Sequence, residues 1–179
     1  MKKAVFLDRD GVVNQSKLVD GVPKPPTNVD EVVIIVGVIE AVKLLKSRNF
    51  IPIVVTNQPD VARGVTTQTQ VEAINTYIGV TTKIEYFYTC FHDDIDMCDC
   101  RKPEPGLIKR AVTDLNLDIS NSYLVGDRWR DIEASQKAGC QAFFIDYSYQ
   151  EKSPEMPFTR VSSLLEAVQI MIGEPNGSK

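Results

Sequence analysis

The segment Asp8-Arg9-Asp10-Gly11 places two carboxylates two residues apart at the end of an apolar run. On turn chemistry alone such a tetrapeptide is ordinary, because Asp and Gly are common turn formers. The other polar residues change its meaning. Thr56-Asn57 closes a second apolar run, Lys102 follows a third, and Gly126-Asp127 closes a fourth with Asp131 four residues on. Carboxylates, a hydroxyl and a lysine in this combination suit phosphoryl transfer to a protein carboxylate. The transferred group carries negative charge on its equatorial oxygens, so cationic and hydrogen-bonding donors must stand in place beforehand. Lys102 and Thr56 can supply them. A carboxylate approaches a phosphate dianion only where their repulsion is offset; Mg²⁺, a hard cation that takes oxygen ligands, does this. Asp8 and Asp127 are its expected ligands. Asp10 is placed to give a proton to a departing alkoxide and to take one from water, provided the chain turns after Asp8, as Gly11 permits.

These residues meet only if the runs that carry them lie side by side. Short apolar runs at 4–7, 51–55, 84–88, 123–125 and 142–145 alternate with helical patterns, the signature of a parallel sheet with crossover helices. Val38, Ala41, Val42 and Leu45 recur at helical spacing, as do Leu107, Ile108, Ala111, Val112 and Leu115, so each helix offers one apolar stripe to a sheet. Gly139 reads as a helix C-cap, and Ser163 with Glu166 as a capping box opening a last helix to about Ile172. In an open α/β sheet, ligands bind at the edge where the strands' carboxyl ends gather. The expectation is an α/β fold: a single Rossmann-like domain over 1–172, its parallel sheet flanked by helices, with no cap domain, followed by a frayed tail over 173–179. Segments 15–30, with Pro23, Pro25 and Pro26, and 90–105 fit neither strand nor helix. Loops of that length in a compact domain are usually functional.

The second of these loops gathers Cys90, His92, Cys98 and Cys100, three of the four cysteines and the only histidine, within eleven residues. Three thiolates and an imidazole complete the closed tetrahedral set of a structural Zn²⁺. A zinc-binding loop over 90–102 is therefore expected. Because Arg101-Lys102 follow Cys100 directly, its metal would set the position of the lysine. Cys140, between a helix and a strand, reads as a buried core thiol.

Composition bounds the partners. Apolar residues at 43% and charged residues at 25% describe an ordinary globular chain. A net charge of −4 gives no basic field for a phosphate backbone, so a nucleic-acid partner is not expected. The apolar run 4–7 is too short for a signal-peptide core or a membrane span. A cytoplasmic monomer without membrane contact is expected.

The set Asp8-Arg9-Asp10-Gly11, Thr56-Asn57, Lys102 and Gly126-Asp127 with Asp131 resembles, in order and over nearly the whole chain, the four motifs of the haloacid dehalogenase-like phosphatases. The resemblance implies Asp8 as nucleophile, Asp10 as general acid and base, and Thr56, Asn57 and Lys102 around the phosphate. It also implies Mg²⁺ on Asp8, the Asp10 carbonyl and Asp127, with Asp131 supporting the metal waters or Lys102. The cysteine loop with Arg101-Lys102-Pro103-Glu104-Pro105-Gly106, and Thr56-Asn57-Gln58 followed by Ala62-Arg63-Gly64, is similar to the histidinol-phosphatase branch, whose members lack a cap and select substrates with short loops. This implies a small phosphorylated metabolite as partner, a sugar bisphosphate, and removal of the C7 phosphate of a heptose 1,7-bisphosphate; histidinol phosphate is the alternative substrate. Arg101 and Arg128 are the candidates to hold the second phosphate bidentately. A phospho-receiver domain, the reading from another class, also sets acidic residues, a threonine and a lysine around Mg²⁺, but it carries its phospho-acceptor on a later strand and has no use for a zinc loop.

Overall fold

The structure, a computed structural model, describes residues 1–19 and 22–173. Strands β1 (Lys3–Leu7), β4 (Phe50–Asn57), β5 (Tyr86–Cys90), β6 (Tyr123–Gly126), β7 (Gln141–Ile145) and β8 (Thr159–Val161) form one six-stranded sheet in the order β5-β4-β1-β6-β7-β8. Every pairing in it is parallel. Strands β2 (Lys17–Val19) and β3 (Val22–Lys24) form a separate antiparallel hairpin. The helices are α1 (Val38–Ser47), α2 (Gln68–Thr82), α3 (Gly106–Leu115), α4 (Trp129–Ala138) and α5 (Leu164–Ile172).

The alternation of β1 shows why the sheet needs helices on both faces. Val5 and Leu7 point into a core with Val42 and Leu45 of α1, Ile74 and Ile78 of α2, and Leu164 and Val168 of α5. Ala4 and Phe6 point the other way, into a core with Ile108 and Ala111 of α3 and Ala134 of α4. A central parallel strand is buried on both sides, so it reads as a continuous apolar run. The expected architecture is borne out, and among the described residues no cap domain is inserted. The expected tail over 173–179 falls outside the described residues, except for Gly173, which ends α5 in the left-handed conformation.

Three local expectations change. The third strand begins at Tyr86, two residues later than the apolar run suggests: Lys83 caps α2 in the left-handed conformation, and the buried Ile84 belongs to the connection, its amide donating to Thr82 Oγ1. The sixth strand, β8, went unread because it has three residues, of which only Val161 is buried. The segment 15–30 is not simply irregular. It carries the β2–β3 hairpin, whose residues are exposed or half-buried and so lack the alternation that marks a strand against a core.

Candidate active site

All the catalytic candidates sit at the carboxyl edge of the sheet, around one cavity of about 300 Å³ lined by Asp8, Asp10, Thr56, Lys102, Asp127 and Asp131, among others. Lys102 lies at its centre and is buried. Its ammonium donates to Asp8 Oδ1 at 2.8 Å, Asp131 Oδ1 at 2.6 Å and the Val55 carbonyl at 2.8 Å, which uses all three protons. Burial alone would lower the Lys102 pKa, but Asp131 and Asp8 outweigh it and hold the ammonium well above its ordinary value. Asp131 is spent twice, since its other oxygen accepts from the Arg128 amide at 3.0 Å and so caps α4.

Asp127 is 1% exposed, and neither carboxylate oxygen has a hydrogen-bond partner of ordinary geometry, although the Tyr149 hydroxyl lies beside it and acts to lower its pKa. A buried carboxylate left this way is costly unless a cation takes it. Burial, followed by repulsion from Asp8 and Asp131, raises its pKa well above the ordinary value. Asp8 is pushed up to about 6, chiefly by burial and against the pull of Lys102. Ligand oxygens of Asp8, Asp127 and Asp131 lie within 4.8 Å of one another. The Lys102 ammonium bonds Asp8 and Asp131 but not Asp127, so the ionised site keeps an excess of negative charge. A divalent, oxygen-seeking cation fits that excess, and Asp127 with the second oxygen of Asp8 is free to hold it. The space comes from two glycines: a Cβ on Gly11, whose φ is +96°, would stand 2.0 Å from Asp127 Oδ2, and one on Gly126 would stand 2.2 Å from the Asp131 Cβ.

Asp10 reaches the cavity because the chain turns after Asp8, with the Gly11 amide donating to the Asn14 carbonyl at 2.7 Å. Its carboxylate is held by Arg9 Nη2 at 2.9 Å, Asn14 Nδ2 at 2.9 Å and Gln58 Nε2 at 2.8 Å. Arg9 is fully buried, and its other terminal nitrogen donates to Asn75 of α2 at 3.0 Å. Sequence reasoning gave no role to Arg9, Asn14, Gln58 or Asn75. Arg9 left a signal as the arginine between two aspartates, and Gln58 as the residue that closes Thr56-Asn57-Gln58.

Thr56 is buried at the end of β4, its hydroxyl oxygen accepting from Gln58 at 3.0 Å. Asn57 lines the cavity and also holds the lysine in place. Its carboxamide donates to the Lys102 carbonyl at 2.9 Å and accepts from the Lys102 amide at 3.0 Å, so β4 fixes the backbone of the lysine. Arg101 and Arg128 both line the cavity, but each is ion-paired. Arg101 Nε meets Asp94 at 2.8 Å; Arg128 meets Glu151 with two nitrogens and lies over the Tyr149 ring. Arg63 and Arg130, which sequence reasoning left unassigned, line the same cavity.

Beside this cavity the thiol cluster closes. Cys90 to Cys98, Cys90 to Cys100 and Cys98 to Cys100 are 3.7, 3.2 and 3.4 Å apart at sulfur, and His92 Nδ1 lies 3.6 and 3.3 Å from Cys90 and Cys100. Zn–S bonds of about 2.3 Å give tetrahedron edges of about 3.8 Å, so a zinc ion fits with slight expansion. The cluster's loop is fastened to the segment after β4, through Gln58 N to the Cys90 carbonyl at 2.7 Å and Arg63 to Asp93 by two bonds of 2.7 Å. Cys140 is a buried thiol on the core side, as expected.

This fold, with its acidic, lysine-centred cavity, defines a class. The HAD-hydrolase-like family model matches residues 99–157, and the chain belongs to the haloacid dehalogenase-like phosphatases, which are phosphoric monoester hydrolases. It is 35% identical over 150 residues to the D-glycero-beta-D-manno-heptose-1,7-bisphosphate 7-phosphatase of Haemophilus ducreyi, covering 77% of this chain and 79% of that one. It is also 35% identical over 147 residues to the protein of that name from Escherichia coli K12, covering 75% and 74%. The solved D,D-heptose 1,7-bisphosphate phosphatase from B. bronchiseptica, complexed with magnesium and phosphate, superposes with a TM-score of 0.85 at 25% identity, over 96% of this chain and 98% of that one. Among the described residues, no helix is long and apolar enough to cross a membrane.

Proposed function

We propose that this chain is a cytoplasmic, monomeric, Mg²⁺-dependent phosphatase that removes the C7 phosphate of D-glycero-D-manno-heptose 1,7-bisphosphate. The observation that carries the reading is the pair of unpartnered, buried Asp127 oxygens beside Asp8, in a cavity whose buried ammonium, Lys102, already bridges Asp8 and Asp131. The names of its relatives favour the heptose substrate and its β anomer. In this reading 1–172 is one catalytic domain.

Mg²⁺, when held by Asp8, Asp127 and the Asp10 carbonyl, would offset the repulsion between the Asp8 carboxylate and the phosphate. An Asp8 oxygen attacks phosphorus while the bond from phosphorus to the sugar oxygen breaks, leaving an aspartyl phosphate on Asp8. The departing alkoxide takes a proton from the Asp10 carboxyl group. Asp10, then a carboxylate, takes a proton from the water that attacks the same phosphorus, which frees orthophosphate and restores Asp8. Thr56 and Lys102 hold the transferring group; the Lys102 N–H that donates to Asp8 is the one that can turn to a phosphoryl oxygen. Asn57 serves the substrate through Lys102, whose backbone it fixes. Arg101 and Arg128 face the distal phosphate. Phosphate release with Mg²⁺ should be at least about tenfold more efficient, in kcat/KM, on heptose 1,7-bisphosphate than on histidinol phosphate or fructose 1,6-bisphosphate. A preference for either of the latter would displace the substrate assignment.

Cys90, His92, Cys98 and Cys100 hold a structural Zn²⁺ in this reading, which pins Arg101 and Lys102 against the end of β4. Protein purified under reducing conditions, then treated with EDTA and depleted of Mg²⁺, should retain close to one equivalent of zinc by mass spectrometry, because thiolates hold it far more tightly than oxygen sites hold magnesium. Less than about half an equivalent would count against a closed four-ligand site.

A further inference from the structure

The connection from β7 to β8 sends two tyrosines back to the site, and the chemistry above uses neither. Tyr147 Oη donates to the Gly11 carbonyl at 3.0 Å, a bond that spans 136 residues of chain. The Gly11 amide donates to the Asn14 carbonyl at 2.7 Å, so Gly11 is held on both sides at its φ of +96°. The Asp10 carbonyl shares one planar peptide with the Gly11 amide and points opposite to it; fixing the one aims the other. Tyr149 lines a second cavity, of about 330 Å³, together with Asp127, and its hydroxyl lies beside the Asp127 carboxylate. The two tyrosine rings are 5.6 Å apart at an angle of 32°. Arg128 lies over the Tyr149 ring at 5.6 Å and is itself paired with Glu151 of the same segment.

Resting on the Mg²⁺-dependent phosphatase reading, we propose that Tyr147 and Tyr149 are positioning residues of the metal site, Tyr147 aiming the Asp10 carbonyl and Tyr149 the Asp127 carboxylate. Groups that hold a metal's ligands without touching the metal set its affinity, because a ligand already turned toward the ion gives up less freedom on binding it. Of the three expected ligands, Asp8 is held by Lys102. The other two need a different support. The Asp127 oxygens have no partner of ordinary geometry, and the Asp10 carbonyl takes its direction from the Gly11 turn. Those two ligands are also in touch through Gly11, where a Cβ would stand 2.0 Å from Asp127 Oδ2. A turn that slackens therefore disturbs the carboxylate as well, and one short segment braces both.

The test measures Mg²⁺ binding to Mg²⁺-depleted protein by calorimetry, and the Mg²⁺ dependence of phosphate release from p-nitrophenyl phosphate. The proteins are wild type, Tyr147→Phe, Tyr149→Phe and, as a control, Tyr88→Phe, whose hydroxyl meets Asp114 at 3.0 Å on β5. Phenylalanine keeps each ring and its packing. Tyr147→Phe and Tyr149→Phe should each raise the Mg²⁺ Kd by about 10- to 100-fold and the half-saturating Mg²⁺ concentration for turnover by the same factor. Excess Mg²⁺ should restore most of the lost turnover, and Tyr88→Phe should move neither quantity. A merely structural role would lower Tm or kcat and leave the Mg²⁺ affinity where it was. A Kd within about twofold of wild type in either variant, far below the effect expected of a ligand's support, would overturn the role of that tyrosine. Turnover that excess Mg²⁺ does not restore would overturn it too, and both results leave the phosphatase reading standing. Each tyrosine has its own variant, so one that fails to fold leaves the other decisive. Wild type that binds no Mg²⁺ and releases no phosphate overturns both readings.

Discussion

Asp8→Asn should lower phosphate release by at least about three decades, because the amide keeps the shape of the side chain but is neither a nucleophile nor an anionic metal ligand. The fold should survive the change. Lys102 would keep Asp131 and the Val55 carbonyl as acceptors, and the asparagine oxygen can take the third proton. Rapid-quench experiments with substrate in excess should show a phosphorylated wild-type protein and none in the variant. Residual turnover above about 1% of wild type, after correction for contaminating phosphatase, would remove Asp8 from the nucleophile's role.

Asp127→Asn should separate stability from function. Wild-type Asp127 is buried without a partner, and its pKa is raised by burial first and then by Asp8 and Asp131. The native metal-free protein therefore binds more protons than the unfolded chain between the ordinary carboxylate range and the raised value. Its stability falls as pH rises through that window, and the penalty is full above it. Asparagine cannot ionise, so metal-free Asp127→Asn should be more stable than metal-free wild type, by about 1–3 kcal/mol where the wild-type group is charged. For a chain of this size that is a rise in Tm of about 2–12 °C. The gain should be larger at pH 8 than at pH 6. Mg²⁺ should raise the Tm of wild type, as any ligand of the native state does, and leave the variant unmoved. Activity should fall by decades. A variant less stable than wild type in EDTA at both pH values would show that the Asp127 charge is not strained, and the metal-site assignment would lose its main physical support.

How much of this was readable in advance follows from how local each feature is. Asp8, Thr56 and Asp127 could be brought together without coordinates, because parallel strands send their carboxyl ends to one edge and each lies at or just beyond such an end, and Lys102 joined them as a residue of the loop that follows β5. The thiol cluster was readable because its ligands fall within one short segment. Arg9 meeting Asn75 spans 66 residues and depends on how α2 packs, which no local pattern encodes. Helix α2 itself shows a blurred stripe, since Asn75 and Thr82 share its buried face with Val71, Ile74 and Ile78. Asn57 was recognised by type and position, but a carboxamide can face a phosphate or pair with a peptide group. Only the position of Lys102 reveals the pairing.

The two sides of the cavity are built differently, and this bears on how such a protein can diversify. The chemical side is cross-stitched: Asn57 grips the Lys102 backbone, Gln58 grips Cys90, and Arg63 grips Asp93. Also on the cavity wall stand Val22, Pro23 and Lys24 of the β2–β3 hairpin, followed by Pro25; the hairpin buries almost nothing of itself and meets the body partly through the surface pair Lys17–Glu31. A change of length or composition in the hairpin leaves every bond of Lys102, to Asp8, Asp131 and the Val55 carbonyl, in place, whereas the same change on the stitched side shifts the lysine. Inheritance can therefore hold the reaction constant on one bank while trying new substrates on the other. Paralogues of this chain would then be expected to part company first in the strands 17–19 and 22–24, which bury almost nothing.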